Sequence, residues 1–262
     1  MAKVTICQAW VVHQNFNLFS QTFRTLNALR SLAIAYFAVT LGLSLIERLS
    51  AESLLFTLLH APFGVVFGYY FICQHLGITK RQRRLSSFTR FAFWNVLLMY
   101  VVSVAGIHFL DSQFYALPTD ARGQVAISLA FVLALMFVFI APGYLFGTAL
   151  PAQIFGKQKP VGKAVGRAIR QSGYLLPRTL GILLPFLFLI GSLSAAVDLA
   201  GPEGLPITHS GEVNGFSFLL QALSSLLGIV WDAIWMVVIT NAYLKDLRES
   251  GEIPAVDAEV FA

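Results

Sequence analysis

The sequence predicts an all-α fold, a polytopic bundle of six membrane-spanning helices with both termini in the cytoplasm. Composition is the first observation: 57% of the 262 residues are hydrophobic and 12% are charged. The mean hydropathy of +0.73 suits lipid, not water, as the solvent for most of the chain. Second, apolar runs without charge fall at 31–46, 53–79, 91–110, 123–156 and 179–197, and a further run at 213–244 is interrupted only by Asp232. A bilayer core of about 30 Å needs roughly 20 such residues per helix. Third, all but two of the 18 Lys and Arg residues, Arg48 and Arg122, fall on one side of these runs. That side is the cytoplasm by the positive-inside rule, and the expected location is the inner membrane.

Taken in order, residues 1–30 carry an amphipathic helix. Val12, Phe16, Phe19, Phe23 and Leu26 recur at helical steps, while the opposite face holds Gln, Asn, Ser and Thr. Such a helix lies on the cytoplasmic surface, anchored in lipid or packed beneath the bundle. The first thirty residues hold no compact apolar core followed by a small-residue cleavage site, so the first span is expected to act as the insertion signal. The membrane domain covers 31–250. Its first span is short, and Arg30 and Arg48 snorkel to the interfaces. The long fourth run leaves the membrane near Pro151, which ends the helical pattern.

Two cytoplasmic loops are basic, at 79–90 and 151–178. In the first, Lys80, Arg81, Arg83 and Arg84 attract anionic headgroups by about 1 kcal/mol per residue near the surface; the alternative is a topology determinant without a ligand. In the second, Val161, Ala164, Val165, Ala168 and Ile169 alternate with Lys163, Arg167 and Arg170 as a second interfacial helix with further headgroup contacts. Its four glycines, Gly156, Gly162, Gly166 and Gly173, cost about 1 kcal/mol each relative to Ala, so it forms against the membrane or a partner. Residues 201–215 form an extracytoplasmic loop, and 251–262 an acidic tail. An internal echo links Ala61-Pro62-Phe63-Gly64 through Gly68 with Ala141-Pro142-Gly143 through Gly147, which suggests parallel repeats of helix pairs or chance likeness.

Asp232 is the one residue that demands a partner, since an acid near mid-membrane costs about 2.5–3.5 kcal/mol to insert. Gln221, Ser225, Gly228 and Trp235 share its helix face. Measured from Arg90, Tyr100 and Ser103 lie at matching depth and are the expected hydrogen-bond partners. So is the carbonyl of Val138, which Pro142 leaves without a donor. The functional reading is a proton or cation site, and the structural one an interhelical hydrogen bond. A lone acid makes a poor relay.

His60 and His108, both toward the extracytoplasmic side, allow haem ligation in principle, but each span offers one histidine only. His13 and His75 read as interfacial. Cys7 and Cys73 form neither a disulfide framework nor a metal spacing. No phosphate-binding loop, H-E-x-x-H, G-x-S-x-G or C-x-x-C occurs, which disfavours hydrolysis and nucleotide use by those devices. No cofactor, metal or nucleic acid is expected, since the basic residues serve orientation.

The run Ala149-Leu150-Pro151-Ala152, the basic loop with Ala164 and Ala168, then Arg170-Gln171-Ser172-Gly173 and Leu180-Gly181-Ile182-Leu183-Leu184 resemble a group of bacterial six-helix membrane proteins. These stand alone or form the membrane domain of glycerophosphodiester phosphodiesterases. Ala242-Tyr243-Leu244-Lys245-Asp246-Leu247-Arg248 is similar to the end of their last helix. The resemblance implies the architecture alone: this chain lacks a phosphodiesterase domain, and Phe155-Gly156-Lys157 stands where the group often has an acidic residue. The expected function is therefore that of a non-enzymatic accessory or scaffold subunit of a membrane complex, whose partners are the bilayer and other membrane proteins or itself. Proton-coupled transport of a small solute or lipid through Asp232 is the alternative, and haem binding the third.

Overall fold

The computed structural model describes residues 18–49, 53–101, 140–155, 160–199, 206–207 and 213–252. These are almost entirely helical; the extended pairing among them is an isolated bridge between Ile207 and Val213. The helices are α1 Leu18–Ala28, α2 Arg30–Leu49, α3 Ser53–His75, α4 Leu85–Asn95, α5 Ala149–Ile154, α6 Pro160–Arg170, α7 Ser172–Arg178, α8 Leu184–Leu199 and α9 Gly215–Glu249, with a further helical stretch at 140–146.

Among the described residues, two helices are long and apolar enough to cross a membrane: Ser172–Ile190, with mean hydropathy 1.7, and Gly215–Glu249, with 2.0. A third qualifies if α1 and α2 count as one span, but they meet at 91°. Residues 102–110 of the third expected span and 123–139 of the fourth lie outside the described residues.

Element boundaries follow local chemistry. Gly77 and Gly251 take positive φ, 66° and 70°, just past the ends of α3 and α9. There the amides of Ile78 and Glu252 reach back to Cys73 and Leu247, closing both helices with the 6→1 bond that a left-handed residue permits. Asn214 caps α9 by accepting from the Ser217 amide at 3.2 Å. Pro185 cannot donate to Gly181, and the turn before it, Thr179–Leu183, is π-helical. A second π turn, Val96–Val101, follows α4.

The longest helix, α9, is the hub: α1, α2, α3, α5, α6, α7 and α8 all pack against it. Its residues Ala233 to Ile239 are buried, and the core continues through Tyr36, Phe67, Phe71, Ile72 and Phe91. Lipid is as apolar as Leu, so close van der Waals approach decides where such helices meet. The two echo segments supply that approach. A Cβ on Gly68 would fall 2.6 Å from the Met236 methyl, one on Gly147 would fall 2.8 Å from Ile239, and Trp235 lies directly over Gly143. Gly64, Gly68, Gly143 and Gly147 thus form two G-x-x-x-G faces. Three of the four pack against α9, whereas Gly64 faces Tyr36 of α2.

α1 packs on the bundle largely through polar residues. Its exposed residues include Phe19 and Phe23, while Gln21, Thr22 and Thr25 are buried against the bundle. Leu18 and Leu26 also pack against the core, so of the apolar set Phe19 and Phe23 are the ones left facing outward, where lipid can cover them. Val12 and Phe16 lie outside the described residues.

Candidate functional site

Three helices bring one polar group each to a common point. Tyr36 of α2 donates its hydroxyl to Asp232 Oδ2 of α9 at 3.1 Å. One turn on, Thr40 Oγ1 lies 3.0 Å from His60 Nε2 of α3. The Tyr36 ring stacks between His60 and Phe67, with centroids 5.4 Å and 4.7 Å away. Gly64 permits this: a Cβ there would stand 3.3 Å from the Tyr36 hydroxyl.

A cavity of about 190 Å³ opens beside this group, lined among others by Tyr36, His60, Asn95, Asp232, Trp235 and Met236. A water needs about 10–15 Å³ on this measure, so several waters or a small solute fit. Asn95 and Val96 enter the lining where the π turn at Val96–Val101 begins. Such turns re-aim side chains and recur at functional sites. Chemically the arrangement is a carboxyl group held by a phenol, with an imidazole one ring away. It can hold and exchange a proton, or accept hydrogen bonds from a small cationic or polar solute.

The sequence-derived candidates divide as follows. Gln221 and Ser225 are buried on the same helix as Asp232. Ser103, Val138, His108 and the side chain of Tyr100 lie outside the described residues. The partner found for Asp232 is Tyr36, a residue sequence reasoning passed over. Its signal was Tyr36, Thr40 and Ser44, polar residues one turn apart in a largely apolar run. His60 is engaged with Thr40.

The basic candidates also separate. Lys80, Arg81 and Arg84 are exposed around the 3₁₀ turn Lys80–Gln82, which Thr79 and Gln82 cap reciprocally. Arg83 folds back over the Tyr70 ring at 4.9 Å. Lys163 is exposed. Arg167, expected at the headgroups, is instead buried at 5% exposure, and it donates through Nε and a terminal nitrogen to the hydroxyl and carbonyl of Thr148, each at 3.1 Å. Burial pulls its guanidinium below the ordinary arginine value, and Tyr243 and Asp246 oppose that. The small residues of α6 explain the correction: Ala164 and Ala168 let the helix lie close, which carries Arg167 inside with them. Arg170 is committed too, in a forked pair with Asp246 at 2.9 and 3.1 Å. The hydrogen bonds to Asp246 push its guanidinium upward.

A second buried chain was not legible in the sequence. Asn241 donates to Gln21 Oε1 at 2.8 Å, and its own oxygen lies 3.0 Å from His75 Nε2. The other His75 nitrogen is 3.4 Å from Thr25 Oγ1. His75, read as interfacial, is 2% exposed and ties α1 to α3 and α9.

No family model, curated protein or solved structure matches this chain.

Proposed function

We propose that the protein is a non-enzymatic, multi-pass transporter of the bacterial inner membrane, with six spans and cytoplasmic termini, in which Asp232 is the proton site coupled to movement of a small solute. The observation that carries this reading is the Tyr36–Asp232 hydrogen bond at the edge of a cavity that also holds His60. The sequence offered one acid in isolation; His60 supplies a second titratable group one aromatic ring away. Residues of this kind inside a membrane mark proton and substrate routes more often than packing.

The test is infrared spectroscopy of the full chain in lipid nanodiscs over a pH series. A carboxyl C=O band that titrates, vanishes in Asp232→Asn and moves in Tyr36→Phe is the expected result. A spectrum whose carboxyl region is identical in wild type and Asp232→Asn at every pH overturns the reading.

An accessory subunit is the second reading, favoured by Leu85 and Ile169, which are 80% and 66% exposed on helices outside the two qualifying spans. Apolar side chains exposed there suit a neighbouring protein. Stable co-purification with a larger complex in mild detergent supports it, and a solitary protein under those conditions counts against it.

A further inference from the structure

One face of α9 carries a line of polar groups longer than the site needs. Taking 100° per residue, Gln221, Ser225, Asp232, Trp235, Tyr243 and Asp246 all point within about 60° of the Asp232 direction. Gln221, Ser225, Trp235, Tyr243 and Asp246 are buried, none more than 6% exposed. Ser225 Oγ, Trp235 Nε1 and Tyr243 Oη, together with Thr240 Oγ1 on the flank of the same face, find no hydrogen-bond partner among the described residues. Stranding one such donor in apolar protein is costly, and stranding four on one helix is more so. Buried polar atoms without protein partners are the ones that ordered water satisfies.

The geometry points to a hydrated proton path along this face, running from Asp232 past Trp235, Thr240 and Tyr243 to Asp246. It rests on the reading of Asp232 as a proton site and assigns that proton its source, the Lys- and Arg-rich end of the molecule. The route needs a chain of waters, since Trp235 and Thr240 also point about 140° apart around the helix. Trp235 to Thr240 is about 7.5 Å along the axis, Thr240 to Tyr243 about 4.5 Å, and the whole route from Asp232 to Asp246 about 21 Å. Each hydroxyl accepts a proton on its lone pair and releases its own onward, so the net change is one O–H bond broken in a hydronium ion of the bulk water at the Lys- and Arg-rich end and one formed at Asp232, whose carboxylate becomes a carboxylic acid. No other bond is made or broken.

The charged and titratable groups facing the route stand at its two ends, and Glu252, just past the end of α9, adds a negative charge near Tyr243. Tyr36 from α2 and His60 from α3 stand at the Asp232 end. At the other end Arg167 from α6 lies over the Tyr243 ring at 5.2 Å, and Arg170 holds Asp246.

Tyr243 separates this path from mere packing. Its ring stacks on Phe155 and carries Arg167, and both contacts survive in Phe. Its hydroxyl has no partner among the described residues, so a structural role alone predicts that Tyr243→Phe is neutral or stabilising. A path predicts slowed proton delivery at unchanged stability.

The experiment follows the Asp232 carboxyl band, identified by its loss in Asp232→Asn, after a switch from H₂O to D₂O in nanodiscs. In Tyr243→Phe, and independently in Thr240→Val, exchange is expected to slow roughly a hundredfold, the low end for a positioned proton-transfer group. The melting temperature of Tyr243→Phe should not fall. Unchanged exchange in both variants overturns the path, while a titrating band leaves the site at Asp232 standing. Absence of any Asp232 band removes both.

Discussion

Asp232 was legible because an acid inside a 32-residue apolar run contradicts its surroundings; Tyr36 was not, because nothing in one sequence links positions 196 residues apart. Depth counting could rank partners along the membrane normal, yet rotation of α2 about its own axis is set by packing. Arg167 shows the same limit from the other direction. Its charge suggested headgroups, and its neighbours Ala164 and Ala168 decided otherwise. This gives a test at single-residue scale. Lys keeps the charge of Arg167 but not the fork that meets both oxygens of Thr148. Arg167→Lys is therefore expected to destabilise the protein by about 1–3 kcal/mol, read as a lower melting temperature in detergent. An unchanged value would mean that Thr148 is served equally well by a point charge.

Among the described elements, helix was legible from the sequence, and the face each helix buries was less so. α1 shows why: its sequence announces an amphipathic helix, but in lipid the polar side can be the one that packs, here through Gln21, Thr22 and Thr25. The echo between 61–68 and 141–147 acquires a physical meaning at this scale, since its glycines mark close approach to neighbouring helices. Substituting Ala at Gly147 drives a Cβ into the Gly143 carbonyl and against Ile239, and overpacking of this kind costs about 1–3 kcal/mol, whereas at Gly68 it meets the flexible tip of Met236, which can swing aside at smaller cost. At Gly42 a Cβ meets nothing within 4 Å. There Ala is expected to be neutral or to stabilise by up to about 1 kcal/mol through helix propensity. Thermal melts of the three variants side by side decide the matter; equal effects at all three positions would contradict the packing described.

For the molecule as a whole, class was legible from composition, and the arrangement around α9 was not, because every helix of such a chain is apolar enough to be central. What singles out α9 is its 35 residues, about 52 Å of helix, which outlast the bilayer core and leave an end for Arg170 and Gln171 to grip through Asp246 and Glu249. Cys73 reports on this assembly. It is fully buried at the end of α3, so in a Cys7→Ser background a maleimide should label it only as the bundle unfolds. Rapid labelling of the native protein would show that the α3 end opens separately from the rest.

The π turn at Val96–Val101 bears on how such a cavity comes to exist. It holds one residue more than an α turn, and one residue is a rotation of about 100°. Asn95 and the helix before it are therefore out of phase with the turn itself, by the amount a single inserted codon supplies. What the cavity contains is set by phase as well as by identity: the same amino acids in an uninterrupted helix would present a different wall.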